Sequence, residues 1–186
     1  EVNAADYFDV QSTTCGIAAA IASLPESGGR VRLPAGTYVL RDSVYVPSRV
    51  SLVGDGPATV LAIRPLQVAK LAQNVRKGQR VFECSAKPRL RVGDGIGVKD
   101  DQRGGWHGTH GVVQKVEGKR VWLDAPFYMG LSTEDHARAV NLFPAIYALD
   151  EEDMEIRDLT LQGPENYRGE WWDFTYAGMH LVGCRR

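Results

Sequence analysis

The chain has 186 residues, of which 44% are hydrophobic and 24% charged, enough for one sizeable domain, or a domain with a small insertion, that buries most of its apolar surface. Peptide-scale, disulfide-dependent and intrinsically disordered architectures are excluded. Lys and Arg total 22 against 23 Asp and Glu, a formal net charge of −1, so no global field draws the protein to nucleic acid or an anionic membrane, and a charged ligand has to be recognised locally. Cys15, Cys84 and Cys184 form no CxxC or zinc spacing and allow at most one disulfide. There is no apolar run of about 18 residues for a membrane span, and the opening EVNAADYFDV lacks the basic and apolar regions of a signal peptide. The chain reads as mature and soluble.

In STTCGIAAAIASLP, Ile17, Ala20, Ile21 and Leu24 recur at helical spacing, with Ser12 or Thr13 as N-cap and Pro25 beyond the end, which predicts one short amphipathic helix. Five short apolar runs follow, at 31–33, 38–40, 44–46, 50–53 and 60–63, each broken by Gly or Pro. They read as strands of about 3–5 residues, with Pro34 and Pro47 at ends or edges. Strands this short and this often punctuated suit a sandwich or a solenoid, and the choice depends on repetition. Leu-x-Gly occurs in SLVG (51–54), TLQG (160–163) and HLVG (180–183), the last two 20 residues apart. That is close to one turn of a β-solenoid, with the glycine giving the backbone freedom a corner needs.

The stretch 66–129 breaks this pattern. RVFEC, RLRVGDGIGV and THGVVQKVEGKRVWLDAP, with a turn at Glu117-Gly118-Lys119, are the signals of a small antiparallel β insertion. VGDGIG has neither the glycine spacing nor the following helix of a dinucleotide fingerprint. From Phe143 the earlier pattern resumes, with Ile156, Leu159 and Leu161 as inward positions. The run Asp150, Glu151, Glu152 and Asp153 reads as a solvated turn.

The segment GIAAAIASLPESGGRVRLPAGTYVLRDSVYVPSRVSLVGDGPATVL resembles the entry segment of the pectate-lyase-like right-handed parallel β-helix superfamily. Gly28, Gly29, Val31, Leu33, Pro34, Gly36 and Tyr38 carry its GGxVxLPxGxY part, and Leu52, Gly54, Asp55 and Gly56 carry its SLxGxG corner. With the stretch after Phe143, the resemblance covers about 110 residues and leaves out the insertion. It implies an all-β fold: a right-handed parallel β-helix (solenoid) with an N-terminal capping helix. The expected division is 1–65 as cap and first coils, 66–129 as the inserted β subdomain, and 130–186 as further coils. Most such proteins are secreted or periplasmic and act on polysaccharides as lyases, hydrolases or epimerases, while a minority are tailspikes or adhesins. Because they usually have eight or more coils and their catalytic residues generally lie on middle coils, the chain is expected to be the N-terminal portion of a longer protein; whether catalytic coils lie beyond Arg186 is left open by the sequence.

Two clusters carry candidate chemistry. PENYRGEWWDFTYAGMH brings together Tyr167, Arg168, Glu170, Trp171, Trp172, Asp173, Tyr176 and His180. Aromatic faces stack on sugars, and Arg and carboxylates bond hydroxyls and carboxylates, so Trp171, Trp172 and Tyr167 are expected to bind a polysaccharide or oligosaccharide. The alternative is that the tryptophans pack the loop onto the solenoid and that Arg168 and Glu170 form a surface pair. For hydrolysis, Glu170 and Asp173 are the candidate carboxylates. For β-elimination from a uronate, His180 or Tyr176 would be the base and Arg168 the cation. The second cluster, KDDQRGGWHGTH, holds Asp100, Asp101, Arg103, Trp106, His107 and His110. An HxxH pair beside two aspartates suits a divalent cation such as Ca²⁺. No third spaced ligand is evident and no helix carries the pair, so a glycine-rich hairpin with solvated charges explains it as well. Trp106 and His107 are better read as a wall of the saccharide groove. His136 has no evident partner. The chain is therefore expected to be a secreted carbohydrate-active protein, by lyase or hydrolase chemistry, or else a non-catalytic glycan-binding or structural β-helix that forms homo-oligomers.

Overall fold

The computed structural model describes residues 1–102, 107–166 and 178–185. The described chain is mostly β. In chain order its strands are β1 (Val2–Asn3), β2 (Gly29–Leu33), β3 (Gly36–Leu40), β4 (Val44–Tyr45), β5 (Val50–Gly54), β6 (Thr59–Ile63), β7 (Val68–Lys70), β8 (Val81–Glu83), β9 (Gly95–Lys99), β10 (Gly108–Glu117), β11 (Arg120–Leu123), β12 (Arg138–Val140), β13 (Ile146–Leu149), β14 (Glu155–Arg157), β15 (Thr160–Gln162) and β16 (Met179–Val182), with helix α1 (Ile17–Ala22) before β2. They fall into two compact units, one of Glu1–Arg64, Pro144–Pro164 and Ala177–Arg186, the other of Pro65–Phe143 and Glu165–Tyr176.

The first unit is built from three parallel sheets, ordered β1-β2-β5-β14, β3-β6-β15 and β4-β13-β16. The chain enters them in rotation: β2, β3 and β4 lie one in each sheet, then β5 and β6 with β13, then β14, β15 and β16. Stacking in register places like positions over one another. Val31, Leu52 and Ile156 form one column, Tyr38, Leu61 and Leu161 a second, and Val44, Ile146 and Met179 a third. Val31, Leu52, Leu61, Val44 and Ile146 are fully buried in these columns, one inward position in each short strand.

The repeating unit is therefore the apolar column, and Leu-x-Gly is not: the three copies lie in β5 and at the ends of β15 and β16, one in each of the three sheets. Gly183 does have left-handed backbone, at φ 65°. Gly54 matters for another reason, since a Cβ there would stand 2.1 Å from the Asp158 carbonyl oxygen. The recurrent corner sits just before the sheet of β2, β5 and β14, where Gly28 (φ 84°), Arg49 (φ 64°) and Asp153 (φ 53°) occupy equivalent places. Gly29 N–H donates to the Arg49 carbonyl at 2.9 Å and Arg49 N–H to the Glu152 carbonyl at 2.9 Å, tying successive corners together.

Helix α1 buries Ile17 and Ala20, and its alanines make so short a helix inexpensive in side-chain entropy. Its N-cap is Gly16, at φ 87°, rather than Ser12 or Thr13. The hydroxyls still act there: Ser12 Oγ accepts from Gly16 N–H at 3.1 Å and Thr14 Oγ1 from Ala18 N–H at 3.1 Å. The preceding segment lies along β3, since Arg41 N–H donates to the Thr13 carbonyl and the Cys15 thiol to the Val39 carbonyl.

The second unit is a six-stranded antiparallel sheet of order β7-β12-β9-β10-β11-β8. Its two edges meet: Leu71 pairs with Cys84, Ala72 N–H donates to the Glu83 carbonyl at 2.7 Å, and Ser85 N–H donates to the Lys70 carbonyl at 2.9 Å. The strands thus close on themselves around Phe82, Ile96, Val98, Val113, Val121 and Phe127, and closure removes the exposed edges. Strand β10 serves two neighbours, β9 through 108–112 and β11 through 113–117, with a bulge between Val113 and Lys115 where the pairing changes. The turn read at Glu117-Gly118-Lys119 joins β10 to β11, with Glu117 opposite Arg120 and Gly118 at φ 59°. This unit reaches Phe143, past the 66–129 stretch read from the sequence, because β12 inserts between β7 and β9. Cys15, Cys84 and Cys184 are all free thiols. Burial pushes the Cys84 thiol up to about 11 and also raises that of Cys15.

Candidate functional site

Strands β4, β13 and β16 turn one side chain each to the outside of their sheet in the same register. Tyr45 pairs with Tyr147, and Tyr147 with His180. The ring centroids of Tyr45 and Tyr147 are 5.9 Å apart and those of Tyr147 and His180 are 5.8 Å apart, tilted by 50° and 47°. This spacing follows from in-register parallel strands, whose backbones lie about 4.8 Å apart. The next outward pair is Leu149 and Val182, 44% and 41% exposed. One face of the sheet is therefore a continuous row of three rings beside an apolar pair, open to solvent where a charged surface is the ordinary outcome.

Glu151 flanks the row. Its carboxylate accepts from the Tyr45 hydroxyl, from Ser48 N–H at 2.7 Å and from the Ser48 hydroxyl. Ser48 Oγ in turn accepts from Glu152 N–H at 3.0 Å. One residue of the acidic run is thus a clasp between consecutive corners, beyond the solvated turn read for it. The bond to Glu151 pushes the Tyr45 phenol up to about 12. The bonds from Ser48 and Tyr45 hold Glu151 below the usual carboxylate range.

The signs give opposite pH limits. Tyr45 has a raised pKa, so its contribution is complete below the ordinary phenol value of about 10 and is lost as pH rises through about 12. Glu151 has a lowered pKa, so its contribution is complete above the carboxylate range and is lost as pH falls through and below that range. Absorbance at 295 nm is expected to show one phenol ionising near 12 in the parent and near the ordinary value of about 10 in Glu151→Ala. An identical titration in the variant would remove Glu151 as the cause.

Of the ten residues selected from the sequence as catalytic or substrate-binding, His180 and His107 are described. Arg168, Glu170, Asp173, Tyr176, Tyr167, Trp171, Trp172 and Trp106 lie outside the described residues, as does Arg103. His180 belongs to the outward row. His107 belongs to the second unit, where its Nδ1 is 2.9 Å from Oδ1 of the fully buried Asp100. Asp100 also accepts from Gln102 N–H at 3.1 Å and Ser132 N–H at 3.0 Å. Asp101 turns elsewhere, to Arg138 at 2.6 Å and to Nδ1 of His136 at 3.0 Å, which gives His136 the partner that the sequence did not reveal. The two aspartates thus serve different partners, and the described residues hold no group of three or more His, Cys, Asp or Glu suited to a metal ion. His107 and His110 also stand three apart along extended chain, which sends their side chains to opposite faces.

No family model matches the sequence, and no curated protein does. Three of the solved structures that match are phage tailspikes. They include the tailspike gp61 of Pseudomonas phage phi297 (18% identity over 79% of this chain and 31% of that one, TM-score 0.40). A second is the Gp54 tailspike of Acinetobacter baumannii bacteriophage AP22, solved in complex with A. baumannii capsular saccharide (14% identity, 83% and 30%, TM-score 0.39). A third is the tailspike gp49 of Pseudomonas phage LKA1 (16% identity, 79% and 28%, TM-score 0.35). The chain spans about three tenths of the length of these tailspikes.

Tyr45, Tyr147 and Glu151 were not among the residues chosen from sequence. Their signal was present in the alternation of VYV at 44–46 and IYAL at 146–149, which turns the tyrosines outward between buried neighbours. Among the described residues no helix is long and apolar enough to cross a membrane.

Proposed function

We propose that the first unit is a right-handed parallel β-helix and that the protein is a polysaccharide-binding β-helix protein of the tailspike kind, working outside the cytoplasm. The observation that supports binding is the outward row Tyr45, Tyr147 and His180. Rings repeating every 5.8–5.9 Å along the stack offer successive apolar faces to an extended sugar chain, and Leu149 and Val182 widen the apolar strip. The rotation of the chain through three parallel sheets supports the β-helix. Lyase or hydrolase chemistry at Arg168, Glu170, Asp173, Tyr176 and His180 is an additional claim and needs its own assay.

Affinity electrophoresis through gels that contain capsular, uronate or neutral polysaccharides tests the binding. The parent is expected to be retarded by at least one of them. Tyr147→Ala removes the central ring, worth about 1.5 kcal/mol, so the affinity should fall about tenfold. Unchanged retardation of Tyr147→Ala would eliminate the row as the ledge. Absorbance at 235 nm and reducing ends, followed on the same polysaccharides, separate binding alone from elimination and hydrolysis. If the strip is instead covered by another copy of the chain, light scattering will show an oligomer that Tyr147→Ala dissociates.

A further inference from the structure

The second unit has a cleft of its own, about 790 Å³ in volume, lined among others by Asn74, Arg76, Gln102, His107, Ser132 and Thr133. Its lining is mostly polar, with Val75 and Leu131 between the polar groups, and among the described residues no Asp or Glu is part of it. The carboxylates beside it stand behind the lining and are taken up by it: Asp100 is buried beneath His107, Asp135 accepts from Gln102 Nε2 and Glu83 from Gln73 Nε2. Arg76 is exposed and pairs with no carboxylate in the described structure; its backbone N–H donates to Gln79 Oε1 and its carbonyl accepts from Gln79 N–H. The cleft thus presents one guanidinium, one imidazole and several amides and hydroxyls, with the neighbouring carboxylates already bonded by its own side chains.

Its walls are also cross-braced. Asp100 Oδ1 accepts from Gln102 N–H and Oδ2 from Ser132 N–H, so one buried carboxylate fastens both sides while it orients the His107 ring. Asn74 Oδ1 accepts from both Thr133 N–H and the Thr133 hydroxyl at 2.8 Å. Gln102 Nε2 donates to Asp135 at 2.7 Å. A cleft held in this way does not have to be ordered by its ligand, which is the condition for efficient binding of a small polar molecule. Since Nδ1 of His107 faces Asp100, Nδ1 carries the proton of the neutral ring and Nε2 is left to accept from a ligand hydroxyl.

We propose that this cleft is a binding site for an acidic sugar: a polyhydroxylated ring whose carboxylate pairs with Arg76 and whose hydroxyls bond Nε2 of His107 and the surrounding amides. The volume accommodates one to two sugar rings, within the usual range of about 300–1,000 Å³ for ligand sites. The proposal stands apart from the aromatic row, because every residue it uses belongs to the second unit.

The test is an NMR titration of the whole chain with trigalacturonate and 3′-sialyllactose, with cellotriose as the neutral control and inorganic phosphate as the simple anion. At least one acidic probe is expected to shift the amides of Asn74, Arg76, Gln102, Ser132 and Thr133 saturably, while cellotriose leaves them in place. Arg76→Gln, at an exposed position and so without effect on the unfolding temperature, should weaken that binding about tenfold. The proposal is overturned if neither acidic probe binds, if cellotriose binds as well as they do, if Arg76→Gln binds like the parent, or if phosphate displaces the sugar at equal concentration. Shifts confined to Tyr45, Tyr147 and His180 would count against this cleft and leave the ledge intact, and the converse pattern would separate the two readings in the other direction.

Discussion

Gly28→Val is expected to destabilise the first unit by about 3 kcal/mol or more, because two independent penalties coincide. The backbone at Gly28 has φ 84°, where a β-branched residue is strained, and a Cβ there would lie 2.1 Å from the Arg49 carbonyl oxygen. That oxygen accepts from Gly29 N–H, so the chain cannot yield without loosening the bond that joins consecutive corners. Gly56→Ala separates the two penalties: its φ is 103°, yet nothing lies within 4 Å of the added carbon. It should cost only the backbone strain, about 1 kcal/mol. Denaturant unfolding of both variants measures the difference, and equal losses would mean that close stacking of corners is not what holds this unit together.

Asp100→Ala is the second large effect. The side chain is fully buried and is the acceptor for Gln102 N–H, Ser132 N–H and the His107 ring. Its removal leaves three donors without a partner, at about 1–3 kcal/mol for each that water cannot reach, and a total near 3 kcal/mol is expected once partial hydration is allowed. Asp100→Asn keeps one acceptor oxygen and should lose about half as much. Because the same carboxylate braces the cleft, Asp100→Ala is also expected to abolish binding of the acidic sugar even where the unit remains folded. Hydrogen exchange at Gln102 and Ser132 reads the change directly: rapid exchange in Asp100→Ala with protection in the parent is the expected result. Equal protection would show that other groups satisfy these amides.

Local signals carried much of this fold. The runs at 31–33, 38–40, 50–53 and 60–63 lie inside β2, β3, β5 and β6, because each is a short apolar run and Gly or Pro punctuates the corners between them. The Leu-x-Gly repeat misled for a physical reason. Corners here accept Gly28, Arg49 and Asp153 alike at left-handed φ, so glycine does not mark equivalent positions, whereas apolar columns such as Val31, Leu52 and Ile156 do. The closed sheet of the second unit was not legible either. Strand β7 has the burial order exposed, half-buried, exposed and β12 has only three residues, so neither shows a period of its own, and β7 finds its partner β12 more than sixty residues away.

The candidate site divides in the same way. His180 was visible as a chemical group, but its place beside Tyr147 and Tyr45 depends on β4, β13 and β16 meeting in register, with the second unit between β4 and β13 in the sequence. Asp100 and Asp101 were read together because they are adjacent. Extended chain sends adjacent side chains to opposite sides, and one became a buried brace while the other joined His136 and Arg138 at the surface.

The central claim is that the row of Tyr45, Tyr147 and His180 is where a polysaccharide lies. The most direct test is a titration with the oligosaccharide repeat of whichever polysaccharide retards the protein, following the aromatic carbon-bound proton resonances of these three residues. The account predicts that all three shift together and saturate at one dissociation constant, with sugar ring protons moved upfield by the faces they cover. Saturable binding that leaves all three rings unperturbed would contradict it.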